Sequence, residues 1–170
     1  GRHLLFEDDD PDTSADTWLI TLSDRTREPF LRTRANESLS RFSPDGRWVA
    51  YYSDETGRRE IYVRPFRGTG RVVRVSPAGG ERAEWQPDGK ELFYLTGDQT
   101  LMAVQVGDGP DGLTFSAPEK LFTVRTGGDL GRRQFAAGAD GRRFLLNARV
   151  EESGPPSLHV LFNWPALLGR

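Results

Sequence analysis

Two histidines, His3 and His159, are the only imidazoles in the chain, and cysteine is absent. Nucleophilic catalysis needs a hydroxyl or thiol held by a base, with a third group orienting that base. No Gly-x-Ser-x-Gly turn is present, and the two histidines fall in expected strands near opposite chain ends. Both read as structural or surface groups. Without cysteine, disulfides, thiolate nucleophiles, iron–sulfur ligation and cysteine zinc sites all drop out. The run Glu7-Asp8-Asp9-Asp10-Pro11-Asp12 spaces Asp8, Asp10 and Asp12 like the first half of a calcium loop. Thr13 and Leu19, however, stand where such a loop needs its glycine and its bidentate glutamate. The run reads as a solvated hairpin tip. No catalytic residue, metal ligand or cofactor is expected.

Arginine offers a different chemistry. Arg58, Arg59, Arg64, Arg67, Arg71 and Arg74 crowd one stretch in which Glu60 is the only opposing charge. Guanidinium groups suit carboxylate or phosphate recognition, so this stretch could face an acidic partner. The competing reading is that arginines on outer strands blunt sheet edges against mispairing. Gly68-Thr69-Gly70 has no helix after it and reads as a turn, not a phosphate cradle. Asp45, Asp88 and Asp140 recur, but each lies in Pro-Asp-Gly or Ala-Asp-Gly, where turn capping accounts for it.

These side chains must be carried by some scaffold, and composition narrows it. The chain has 170 residues, 36% of them hydrophobic, with a net charge of −2. That suffices for one globular core and excludes recruitment of nucleic acid by a global positive field. The longest apolar run, Trp48 to Tyr52, is five residues, against about 20 for a membrane-spanning helix. With 19 Gly and 11 Pro, many short elements joined by tight turns are expected.

The turns repeat. Phe42-Ser43-Pro44-Asp45-Gly46-Arg47-Trp48-Val49-Ala50-Tyr51 is echoed by Trp85-Gln86-Pro87-Asp88-Gly89-Lys90-Glu91-Leu92-Phe93-Tyr94 and, more weakly, by Ala137-Gly138-Ala139-Asp140-Gly141-Arg142-Arg143-Phe144-Leu145-Leu146. Gly1-Arg2-His3-Leu4-Leu5-Phe6 matches the second half. The register glycines fall at 1, 46, 89 and 141, spacings of 45, 43 and 52. Polar insertions at Gly107–Gly112 and Gly127–Gly131 lengthen the third interval. Proline presets φ at the second turn position, and glycine takes the positive φ that closes the hairpin. Third strands are expected at Trp18–Leu22, Glu60–Phe66, Leu101–Val106 and Ser157–Asn163, and fourth strands at Pro29–Thr33, Arg71–Ser76 and Glu119–Val124. Only Pro165–Leu168 could form a helical turn.

Four antiparallel strands per unit of this length is the pattern of a β-propeller blade. The fold class is therefore all-β: about three and a half four-stranded blades, a partial or open ring. The units are approximately 1–37, 38–80, 81–131 and 132–170, and together they are expected to form a single propeller segment, the C-terminal part of a longer protein. A β-sandwich is the competing fold, and a closed four-blade ring the competing closure. An open arc would bare two apolar blade faces, so upstream sequence or another copy is expected to supply the remaining blades.

Phe42–Tyr51, followed by Glu60-Ile61-Tyr62-Val63, resembles the TolB-like, WD-like propeller repeat of bacteria. The tail Leu158-His159-Val160-Leu161-Phe162-Asn163-Trp164-Pro165-Ala166-Leu167-Leu168 resembles the extreme C-terminus of propellers fused to bacterial, eukaryotic-like Ser/Thr protein kinases. Gln86 and Gly138-Ala139 depart from the repeat's Ser and Ser-Pro. The resemblance implies a sensing, regulatory or protein-interaction module with a protein or peptide partner. It also favours an extracytoplasmic or cell-envelope setting. The kinase motifs themselves, a Gly-rich loop, His-Arg-Asp and Asp-Phe-Gly, are missing from this stretch. A TolB-like envelope propeller and the accessory propeller of a prolyl-oligopeptidase-like peptidase are the alternatives.

Overall fold

The computed structural model describes residues 1–68, 70–124 and 135–147, and the backbone of 159–161. Thr69, Gly127–Gly131, Pro165–Leu168 and all but the backbone of 159–161 in the tail lie outside the described residues. Every described element is a strand, and they form four antiparallel sheets. The first holds β1 (His3–Asp10), β2 (Ser14–Thr21) and β3 (Arg27–Leu31). The second holds β4 (Glu37–Phe42), β5 (Trp48–Ser53), β6 (Glu60–Pro65) and β7 (Val73–Arg74). In the third, β8 (Glu81–Trp85) pairs with β9 (Glu91–Leu95), β9 with β10 (Thr100–Gly109), and β10 with both β11 (Gly112–Phe115) and β12 (Glu119–Thr123). The fourth holds β13 (Phe135–Ala137), β14 (Phe144–Leu146) and β15 (His159–Leu161).

The sheets stack in series, because each central strand is apolar on both faces. Ala50, Tyr52, Ile61 and Val63 of the second sheet pack with Trp85, Leu92, Tyr94 and Val104 of the third. Phe93, Leu95 and Leu101 on the third sheet's other face meet Phe135, Phe144 and Leu146 of the fourth. Leu31 of the first sheet packs on Tyr51 and Tyr62 of the second. Four sheets in sequence exclude the two-layer sandwich. The first strand β4 adjoins β8, and β8 adjoins β13, as the inner strands of successive blades do. Non-glycine residues at positive φ, Leu39 (+56°) and Arg82 (+51°), mark equivalent bulges in β4 and β8. On the outward faces of the end sheets Leu4 is 51% and Leu145 43% exposed.

Three expectations need adjusting. Glu7–Asp10 do not form a hairpin tip but continue β1, paired with Ser14–Thr17, and Glu7 Oε1 accepts the Leu39 N–H at 2.9 Å. The fourth strand of the second sheet, expected over Arg71–Ser76, is only Val73–Arg74; its far end stops where the Ser76 hydroxyl, not a backbone carbonyl, accepts the Ile61 N–H at 2.7 Å. The insertion at Gly107–Gly112 is ordered structure, the tip of a hairpin that lengthens β10 and adds β11.

Candidate functional site

The repeated turns build one end of the molecule. In the second sheet the Gly46 N–H donates to Ser43 O at 2.9 Å and the Ser43 N–H to Trp48 O at 2.8 Å. Gly89 and Gln86 repeat this with Gln86 O and Glu91 O, and Gly141 and Gly138 with Gly138 O and Arg143 O. The glycines take φ of +72°, +75° and +65°. Asp45, Asp88 and Asp140 each accept the backbone N–H two residues on, at 3.0, 2.9 and 3.0 Å. These aspartates therefore organise turns. Burial pushes the Asp45 carboxyl up, but the Ser43 hydroxyl and the Arg47 N–H and guanidinium outweigh it and hold it below the usual aspartate value. For Asp140, the Arg142 N–H is the main cause of a lowered value.

Gln86, where the other turn has Ser43, does the same work over a longer reach. With its amide nitrogen turned toward them it donates to Asp88 Oδ1 and Glu91 Oε2, both at 3.1 Å. It also crosses to the next blade, where its side chain covers Gly141. Pro44 covers Gly89 in the same way, its Cδ 3.8 Å from where a Cβ would stand. The turns of successive blades thus lean on one another.

Between the turns of the second and third sheets lies a groove of ≈ 480 Å³, lined among others by Asp45, Trp48, Trp85, Asp88, Lys90 and Asp108. Its floor is aromatic and its rim carries both signs of charge. The Trp85 indole N–H donates to Arg41 O at 3.2 Å, tying the floor to the inner strand. Trp48 is wedged under the inserted hairpin: a Cβ on Gly112 would come 2.9 Å from Trp48 Cη2.

The six arginines are not one cluster. Arg58 and Arg74 reach Glu60 Oε1 at 3.2 and 3.5 Å, and Arg59 reaches Glu81 Oε1 at 3.0 Å. Arg64 lies over the Phe30 ring, 5.0 Å from its centroid. Arg67 lies over Phe66 at 5.2 Å, and together with Arg71 lines a second groove. His3 packs 5.1 Å from the Phe66 ring and 3.4 Å from Thr21 Oγ1. The side chain of His159 lies outside the described residues. In the acidic run, Asp10 accepts the Asp12 N–H at 2.9 Å and an Arg32 N–H at 2.8 Å. Among the described residues no three His, Asp or Glu come together as a metal site would require, and no helix is long and apolar enough to cross a membrane.

Sequence reasoning missed Phe66, which gathers His3, Phe30 and Phe42 at 5.1, 5.8 and 4.9 Å. It also missed the β10–β11 hairpin. The signal was present: Pro110-Asp111-Gly112 is another Pro-Asp-Gly turn, between Val104-Gln105-Val106 and Leu113-Thr114-Phe115.

No family model and no curated protein matches the chain. Solved structures do. TolB from Acinetobacter baumannii superposes with a TM-score of 0.66 at 20% identity over 95% of this chain and 38% of its own. Kuenenia stuttgartiensis hydrazine synthase gives 0.62 at 13% identity, over 95% of this chain and 56% of that one. The β-propeller domain of Myceliophteria thermophila Cps50 (Swd1) gives 0.56 at 9%, over 94% and 53%. This chain therefore spans well under two thirds of the structures it matches. What it shares with them is architecture: the chain is an all-β, partial propeller, with the fold seen in TolB and in these other propellers.

Proposed function

We propose that this chain is a non-catalytic, protein-binding part of a larger propeller, the C-terminal sensing region of a bacterial Ser/Thr protein kinase. The groove between the repeated turns carries the reading. Tryptophan surface framed by mixed charge on a rigid hairpin scaffold is the composition of a protein-recognition patch. Asp45 and Asp88 are engaged in turn hydrogen bonds rather than held as acids or bases. The kinase context is supported by the resemblance of Leu158–Leu168 to the ends of such proteins. Fold likeness to Acinetobacter TolB favours a second reading equally, an envelope propeller that binds other proteins. The coding sequence ahead of Gly1 separates them: a kinase domain and membrane span fit the first, a cleavable signal and an α/β domain the second.

Partner binding is tested by placing a photo-cross-linking amino acid at Asp108, on the groove, in the full-length protein within the cells that make it. A discrete protein adduct is expected there and none from Asp98, which is exposed on the β9–β10 turn. Equal labelling from both positions, or none from Asp108, overturns the reading.

A further inference from the structure

We propose that the second groove, on the other side of Trp48, binds an acidic peptide segment of a protein partner through Arg67 and Arg71. This rests on the preceding reading only in that the occupant is a protein. The fold sorts the arginines of the second sheet by position. Arg58, Arg59 and Arg74 are neutralised by Glu60 and Glu81 at the end where β6 begins. Beyond the end of β6, Arg67 and Arg71 are exposed and make no ion pair among the described residues.

The groove they line measures ≈ 740 Å³, and Trp48, Pro65, Phe66 and Pro110 supply its apolar surface. Arg47 also borders it but is held by Asp45 at 2.6 Å. Among the described residues Asp111 is the only carboxylate that lines it, and it forms no ion pair with Arg67 or Arg71. Two guanidinium groups without an ion pair among the described residues, that of Arg67 lying over the Phe66 ring, stand on an aromatic and proline floor and complement a segment that alternates carboxylates with apolar side chains. The carboxylates meet the guanidinium forks, and the apolar groups cover Trp48 and Phe66. A free phosphate would satisfy the arginines and leave that floor unused. The inserted hairpin makes the groove, because its tip at Pro110–Gly112 forms the far wall.

The test is fluorescence anisotropy on the chain with a labelled peptide of alternating Glu and Leu around a central Pro, against the same peptide with Gln for Glu. The Glu peptide is expected to bind, and more tightly at low salt. Arg67→Ala/Arg71→Ala should weaken it about a hundredfold, as loss of two charge-assisted contacts implies. Arg58→Ala/Arg59→Ala, at the opposite end, should leave it within about twofold, since screened surface charges there contribute little. The proposal falls if the Glu peptide does not bind, if the Gln peptide binds equally, or if both double variants lose equally. Cross-linking from Asp108 together with no peptide binding would sink this groove while leaving the partner-binding reading in place.

Discussion

Leu4 and Val49 each stand three residues after the glycine of the same repeat, yet Leu4 is 51% exposed and Val49 wholly buried. Leu92 and Phe144, the equivalents in the next two sheets, are also wholly buried. In those sheets the position faces the preceding sheet, as Leu92 does beside Ala50 and Phe144 beside Phe93. Leu4 faces outward from the first sheet, along with Phe6 and Trp18, whose rings lie 6.4 Å apart. Another sheet belongs over this face if the ring is larger than the chain. In the chain alone, Leu4→Asp should change stability by less than about 0.5 kcal/mol, while Val49→Asp should cost about 3 kcal/mol or more. Urea midpoints measure both, and equal losses would refute the assignment of a bare face. In a protein that completes the ring, Leu4→Asp should become as damaging as Val49→Asp.

The turn glycines differ in what surrounds them. A Cβ on Gly46 would meet nothing within 4 Å, so Gly46→Ala pays for its φ of +72° alone, about 1–2 kcal/mol. A Cβ on Gly141 would also strike the Gln86 side chain, whose Cδ lies 2.9 Å away. Gly141→Ala should therefore cost more than Gly46→Ala, and Gln86→Ala should recover the difference. Coupling of about 0.5 kcal/mol or more is expected in the double-mutant cycle. Strict additivity would show that the two blades' turns do not lean on each other.

What could be read in advance follows from the range of each interaction. Pro44-Asp45-Gly46 and its copies act within a few residues, so the strand order and the serial stacking were visible in the repeat. The groove depends on contacts between units. Nothing near Trp48 in the chain foretells Gly112 lying against its ring, and nothing near Arg59 foretells its pairing with Glu81. Sequence crowding made one cluster of six arginines, whereas strand alternation and the length of β6 send Arg58 and Arg67 to opposite ends. Pro110-Asp111-Gly112 was legible as a hairpin and was hidden by its polar surroundings.

Two buried glutamates should respond to acid in opposite directions. Burial pushes the Glu60 carboxyl up, but hydrogen bonds from Thr56 and Tyr62 and the charges of Arg74 and Arg58 outweigh it and hold it below 4.5. Its contribution is fully present above the ordinary glutamate value and is lost as pH falls through the lower folded one. Glu60→Gln should thus cost about 1–3 kcal/mol at neutral pH and progressively less in acid. Burial raises Glu37 above 4.5, opposed by Thr33 hydrogen bonds and reinforced by Asp16 and Glu55. Ionising Glu37 therefore weakens the fold as pH rises from the unfolded value through the folded one. Glu37→Gln should gain relative to wild type over that window. Urea unfolding of both variants at acid and neutral pH measures this, and parallel pH profiles would contradict it.

All four tyrosines should resist alkali. Burial raises Tyr51 and Tyr52 and takes Tyr62 and Tyr94 up to about 12, with Glu60 adding to the effect at Tyr62. The fold holds the neutral phenols, whereas the unfolded chain ionises them near the ordinary value of 10.0. Stability must then fall as pH rises above that value, because the unfolded state releases protons the folded state retains. Tyrosinate absorbance should stay flat through the ordinary range and then rise in one step, together with loss of the strand signal in circular dichroism. A tyrosinate signal near the ordinary value in a chain that is still folded would show that at least one of the inter-sheet faces carrying Tyr51, Tyr52, Tyr62 and Tyr94 is open to water.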